Sequence, residues 1–332
     1  LAGEYADELA NLGVRVSNLE KKVGNISWNG DARMRYTASS SDKKADAYDG
    51  RIRLNVKGQV NEATYVQGQM VTNMDFKGAN EATKANGDTF MSQVYVNHNF
   101  GKNVAVRLGR QPIAFGNQGG WLYNALEGYD GAQVAYTNGK LALTTGFGQL
   151  NDGAAKSEDF YFAKGAYDFG FAKLNADYIA AKETNDNGEI YGVGLNIPVQ
   201  KFNVFGEYWN NTTAKDYDTA WNAGLSYGKA DWKKAGTWDL SVAYNDVDQN
   251  VYFGGSVWHN DMLKNLTGAD IDKVAGTKYL EAKNLTFWNI LANVTLQKNV
   301  QLHAEYAFGA DAEGTNGVDP DDSWTVSLNY KF

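Results

Sequence analysis

From Ile26 to Phe332, apolar and polar side chains take turns along the chain. In the last segment Trp324, Val326, Leu328, Tyr330 and Phe332 share one parity, and Ser323, Thr325, Ser327, Asn329 and Lys331 share the other. Residues 26–36 repeat the pattern, with Ile26, Trp28, Ala32, Met34 and Tyr36 against Ser27, Asn29, Asp31, Arg33 and Arg35. Residues 238–245 and 301–308 do the same. Successive side chains of a β-strand point to opposite faces, so a period of two builds sheet with one apolar and one polar face.

Sixteen such runs can be counted: 26–37, 49–60, 64–74, 89–99, 103–111, 129–137, 140–148, 158–168, 171–181, 189–197, 200–210, 218–229, 236–247, 284–296, 299–309 and 323–332. Most approach the ~9–11 residues that cross a bilayer at a tilt. Their connections alternate in length. Short ones fall at Asn61–Ala63, Gly101–Lys102, Asn138–Gly139, Gly170, Pro198–Val199 and Gln297–Lys298, with a slightly longer one at 230–235. Long ones fall at 38–48, 75–88, 112–128, 149–157, 182–188, 211–217, 248–283 and 310–322. All turns therefore lie on one side and all loops on the other, and an even strand count returns both ends to the turn side. A soluble β-sandwich also alternates, with its apolar face against a second sheet. Strict loop alternation, long strands and aromatics near strand ends (Trp28, Phe100, Phe169, Trp221, Tyr227, Trp238, Trp324, Phe332) favour a membrane barrel instead. The expected fold is all-β: a 16-stranded antiparallel transmembrane β-barrel over residues 26–332, set in a bacterial outer membrane.

Composition agrees. No run approaches ~18 consecutive apolar residues, so no transmembrane helix is available. The mean hydropathy of −0.49 is that of a hydrophilic chain. A barrel with a polar lumen has this average, because only every second residue meets lipid. Cysteine is absent, which excludes disulfides and thiolate metal sites. A net charge of −8 argues against nucleic-acid binding.

Residues 1–25 differ. Tyr5, Leu9, Leu12, Val16, Leu19 and Val23 recur at gaps of three and four, with charged residues between them and Gly24 as a stop signal. This narrow seam predicts a short coiled-coil helix on the turn side, a periplasmic stalk; an ordinary surface helix is the alternative. Leu1 opens into a polar segment with no apolar signal core, so a processed or truncated chain is expected.

The chain resembles the Gram-negative general porins. The alternating last strand, ending in Tyr330 and Phe332, resembles the outer-membrane assembly signal, and the third long loop stands where those porins fold a constriction loop into the lumen. The stretch from Glu4 to Glu20 is similar to the linker of OmpM-type porins of the diderm Firmicutes (Negativicutes). That resemblance implies a homotrimer and an S-layer-homology domain that binds peptidoglycan. No such domain lies within the sequence, so it is expected to have been lost, cleaved or placed upstream of Leu1. By itself, Val at a with Leu at d leans towards a dimer.

Strand parity also assigns the lumen. Arg33, Arg35, Arg51, Arg53, Lys57 and Arg107 face inward and form a basic ladder. The loop 112–128 is apolar and glycine-rich, with Ile113, Phe115, Trp121, Leu122, Tyr123 and Leu126. Such a patch is costly in water, so the loop is expected to fold inward and bring Glu127 and Asp130 to face the arginines; a trimer contact is the alternative. A transverse field across that constriction orients dipolar solutes. The alternative for the arginines is structural pairing with Asp31 and other lumenal acids. The expected function is general diffusion of small hydrophilic solutes and ions with weak anion preference or none; a sugar channel and a plugged mechanical tether are the alternatives. Asp319, Asp321 and Asp322 are candidates for binding Ca²⁺ or bridging lipopolysaccharide, but their spacing matches no EF-hand and they read better as solvated loop acids. No cofactor is otherwise expected. The loop 248–283 is expected to be partly helical, burying Met262, Leu263, Leu266, Ile271 and Val274. Of the three histidines only His303 has a same-face acid, Glu305, and no nucleophile signature flanks it, so an enzyme is not expected.

Overall fold

The computed structural model describes residues 5, 8, 12, 24–40, 46–76, 88–117, 120–151, 159–181, 188–252, 262–266, 282–315 and 319–332. Its strands are β1 (Ile26–Ser39), β2 (Ala47–Gln59), β3 (Thr64–Asp75), β4 (Asp88–Phe100), β5 (Val104–Phe115), β6 (Tyr123–Thr137), β7 (Leu141–Leu150), β8 (Asp159–Asp168), β9 (Lys173–Ala181), β10 (Glu189–Val199), β11 (Phe202–Asn211), β12 (Thr219–Gly228), β13 (Trp238–Asp248), β14 (Asn284–Gln297), β15 (Val300–Glu313) and β16 (Ser323–Lys331). A 3₁₀ turn, Met262–Leu266, stands between β13 and β14. Each strand pairs antiparallel with its sequence neighbours, and β1 pairs with β16 to close a barrel. Closure leaves no sheet edge, which lipid would not tolerate.

The seam is built in detail. Gly30 and Phe332 exchange backbone hydrogen bonds of 2.8 and 3.0 Å. A Cβ on Gly30 would lie 2.7 Å from the Phe332 ring, so only glycine lets the terminal aromatic lie flat across the strand.

Burial is inverted relative to a soluble protein. Trp28, Leu108 and Phe147 are more than half exposed, while Gln111, Asn245, Asn289, Thr295 and Thr325 are fully buried. Apolar side chains of one parity face outward, and polar ones of the other parity face the interior. The outer band carries an aromatic girdle at each rim. Phe202, Tyr227 and Trp238 pack together near the turn side, with centroids 4.9 and 5.4 Å apart. Trp221, Tyr244 and Trp288 pack together near the loop side, with centroids 5.5 and 5.2 Å apart. Two such girdles mark the two interfaces of a membrane slab.

Every expected strand is found, and most bounds agree within two residues. β5 and β6 are the main departure: they run on to Phe115 and from Tyr123, into what reads in sequence as loop. Of the N-terminal seam only Tyr5 and Leu12 are described, both exposed. Leu9, Val16, Leu19 and Val23 lie outside the described residues.

Candidate functional site: the barrel interior

One wall of the interior is basic. Register places Arg33 opposite Arg51, Arg35 opposite Asp49 and Arg53 opposite Asp31. Arg53 Nε donates to both oxygens of Asp31, at 2.9 and 2.8 Å, and Arg51 reaches the same carboxylate at 3.6 Å. Asp49 accepts from Arg35 Nε at 2.6 Å and from Arg33 at 3.2 Å. Two aspartates thus serve four arginines, and the wall keeps an excess of positive charge. The Nε groups of Arg33, Arg51 and Arg107 are buried without a hydrogen-bond partner. The other two basic residues are held by rings: Lys57 Nζ lies 4.2 Å from the Tyr65 centroid, and the Arg107 guanidinium 4.5 Å from that of Tyr95.

The β5–β6 hairpin supplies the second feature. Gln111 pairs with Tyr129, but the next pair is Ile113 with Ala125, so three residues of β6 stand opposite Pro112. Proline has no N–H for the ladder, and Gly128, at φ +50°, packs where a side chain would strike the Gln111 carbonyl. This bulge re-aims the hairpin inward. It meets strands two to five positions beyond β6 round the barrel. Gly116 N–H donates to Asp177 Oδ2 on β9 at 2.9 Å. Asn117 Nδ2 donates to the carbonyls of Leu195 and Gly206, on β10 and β11, at 2.9 and 3.0 Å. Lys164 Nζ on β8 donates to the Ala114 carbonyl. Phe115 packs edge-on against Phe162, centroids 5.8 Å apart.

Ile113, Phe115, Trp121, Leu122 and Tyr123 are all buried, in one apolar cluster with Phe160, Phe162, Ile179, Ile190 and Trp209 on the wall. Val251, Tyr252, Met262, Leu263 and Leu266, between β13 and β14, join the same cluster. Ile271 and Val274 lie outside the described residues. The loop-side interior is therefore two-sided: an apolar filling along β6–β15 and a basic wall on β1–β2.

One expectation is corrected. Asp130 does not face the arginine wall. It lies on the outward parity near the loop rim, where Arg110 binds it with two hydrogen bonds of 2.8 Å. The bulge separates it from the inward-turned hairpin. Glu127 lies in β6, and its side chain falls outside the described residues. The acids that meet the arginines are Asp31 and Asp49, from the same wall.

His303 faces the lumen on β15. Its Nδ1 lies 2.7 Å from Asn293 Oδ1 and its Nε2 2.9 Å from Glu305 Oε1. Asn293 Nδ2 in turn donates to Asp239. His98 points outward and bonds Thr64 at 2.8 Å. Asp319 accepts from the Ala312 amide, and Asp322 from the Tyr306 hydroxyl and the Gly309 amide. Among the described residues no three His, Cys, Asp or Glu gather as a metal site.

A belt across β12–β16 was not legible as distinct from the rest of the lumen. Both polar atoms of Asn222 and of Asn289, with Asn245 Oδ1 and Ser323 Oγ, are buried and unpartnered. An unmet buried group costs about 1–3 kcal/mol. Six together rival the ~5–15 kcal/mol that holds a whole domain folded.

No family model matches the chain, and no curated protein matches it. Solved structures do. It is similar to a triple mutant of Rhodopseudomonas blastica porin, at 13% identity and a TM-score of 0.60, over 92% of this chain and 100% of that one. A five-substitution mutant of the same porin gives 14% identity and a TM-score of 0.59 over the same shares. Pseudomonas putida OprB, in its high-pH structure, gives 10% identity and a TM-score of 0.63, over 96% of each chain. At these identities the likeness is one of architecture: the chain has the fold of a bacterial porin barrel.

Proposed function

We propose that the chain is an outer-membrane pore through which small hydrophilic solutes and ions diffuse. The observation that carries this reading is the inverted burial: a closed barrel with an apolar, aromatic-rimmed outside and a polar inside. The inward hairpin fills the β6–β15 side of the loop-side interior, so the passage runs on the opposite side, past the arginine wall of β1–β2. Their uncompensated charge supports a weak anion preference although the whole chain is acidic. Tyr95 lies under Arg107 and Trp209 is locked in the apolar cluster, which leaves no continuous aromatic track among the described residues and favours general diffusion over a sugar-specific channel. Residues 1–25 act as a periplasmic coiled-coil stalk that supports a homotrimer and a tether to peptidoglycan, a reading supported by the heptad seam and the OmpM-like linker.

Liposome swelling with sugars of rising size tests the proposal. A smooth size cutoff is expected; influx that saturates with a single sugar, or no influx, overturns it. Reversal potentials in a salt gradient should lie near zero or on the anion side, and a strong cation preference contradicts the role of the arginines.

A further inference from the structure

We infer that Lys57, Tyr65, Tyr95 and Arg107 form a lumenal binding site for small organic carboxylates. The inference deepens the pore reading by naming a solute class, and rests on it for access to the lumen.

The four residues stand on the inward parity of β2, β3, β4 and β5, in the half of the barrel nearer the turns. Register makes them a diagonal row. Lys57 lies opposite Gln67, two residues from Tyr65. Tyr65 lies opposite Asn97, two residues from Tyr95, and Asn97 in turn lies opposite Arg107. Diagonal neighbours on one face are within reach of long side chains, and here they touch. Lys57 Nζ lies 4.2 Å from the Tyr65 centroid, the two rings meet edge-on at 6.4 Å, and the Arg107 guanidinium lies 4.5 Å from the Tyr95 centroid.

The row borders open lumen, because all four residues are part-exposed. Short side chains flank Arg107. Its inward neighbours on β5 are Ala105 and Gly109, which lie opposite Ala135 and Gly131 on β6. These four are part-exposed as well, so there is space beside the guanidinium.

Charge and shape select the guest. Asp31 and Asp49 answer the arginines of β1–β2, but no acid answers this row. Among the described residues, no Asp or Glu stands on the inward parity of β2 from Arg53 to Gln59, β3 from Tyr65 to Asn73, β4 from Phe90 to Asn99, β5, or β6 from Tyr129 to Thr137. Arg107 Nε has no hydrogen-bond partner. A guanidinium stacked on a ring keeps its N–H edge free, and its planar fork matches the two oxygens of a carboxylate. A halide has no second oxygen to offer. The part-exposed tyrosines give the solute's organic part an apolar surface with a polar tip. Lys57 adds a second positive charge at the far end of the row. Two rings make a resting point and not a track, so general diffusion stands.

The test is saturation-transfer NMR on the full chain in non-ionic detergent, with benzoate as probe and benzyl alcohol as the uncharged control. A saturable benzoate signal is expected, with none from benzyl alcohol. Arg107→Gln should weaken benzoate binding about tenfold or more, the worth of hydrogen bonds to a charged group. Lys57→Gln should weaken it less. The inference is overturned if the unaltered chain gives no saturable benzoate signal, if benzyl alcohol binds equally, or if Arg107→Gln binds like the unaltered chain. Binding lost in Arg51→Ser with Arg53→Ser but kept in Arg107→Gln would place the anion on the upper wall and also overturn it. Displacement of benzoate by an equal concentration of chloride would mean a site for any small anion and defeat the carboxylate assignment. Should Arg107→Gln misfold, Tyr95→Leu, which removes the ring under the guanidinium, must weaken binding instead. Salt conductance separates the two readings: its absence with benzoate binding retained defeats the pore alone, and its presence without benzoate binding defeats the site alone.

Discussion

Truncating Phe115 to alanine isolates the hairpin from the barrel that holds it. Phe115 is 1% exposed and packs against Phe162 at 5.8 Å and Tyr123 at 6.1 Å. Removing a fully buried phenylalanine costs about 3–5 kcal/mol in lost contacts and cavity. The sixteen backbone ladders do not involve this side chain, so the cost falls on the docking of the hairpin against β8–β11. It shifts the docked-to-undocked ratio by roughly two to three and a half orders of magnitude. The polar clasps at Gly116, Asn117 and Ala114 remain, but each is an ordinary hydrogen bond of about 0.5–1.5 kcal/mol, or up to ~3 kcal/mol where one partner is charged. The expected phenotype in planar bilayers is a larger mean single-channel conductance with added open-channel noise. The heat-resistant migration of the folded barrel on gels should change little. Conductance and noise identical to the unaltered chain would refute the claim that the hairpin narrows the passage.

Other outcomes follow from the walls and the seam. Arg51→Ser with Arg53→Ser should raise conductance and move the reversal potential towards cations; no movement removes the arginines from the ion path. Asp31→Ala frees Arg53 and Arg51 of their carboxylate, so the potential should move towards anions. It should also lower thermal stability by about 1.5–3 kcal/mol, the worth of a hydrogen bond to a charged group; unchanged selectivity and melting would count against the pairing. Gly30→Val should displace the Phe332 ring and reduce the yield of heat-resistant barrel, and normal assembly would show that the seam tolerates a side chain.

Strand positions were legible in the sequence because a barrel imposes one rule on every strand. Each must carry apolar residues at alternate positions for lipid, whatever its neighbours do. Parity likewise placed Arg33, Arg35, Arg51 and Arg53 on the inner wall. What parity cannot see is a change of direction. The ladder of β5 and β6 continues past Pro112 and Gly128, but the bulge there turns it into the lumen, so 112–128 reads as an irregular loop. Asp130 stands in the regular ladder beyond that bulge, on the outward parity, which counting along the strand from Tyr129 would have revealed. The pairing of Asp31 and Asp49 with the arginines depends on register between β1 and β2, which one strand's sequence does not fix. The asparagine belt was hidden for a different reason: an inward asparagine in water and one sealed beneath other residues have the same sequence signature.

Reconstitution of the detergent-purified chain into a planar lipid bilayer tests the central claim, that a polar lumen crosses the membrane inside a closed sheet. Discrete, ohmic conductance steps are expected, grouped in threes if three barrels insert together. A chain that retains its β-sheet circular dichroism and enters the bilayer but passes no current would contradict the account.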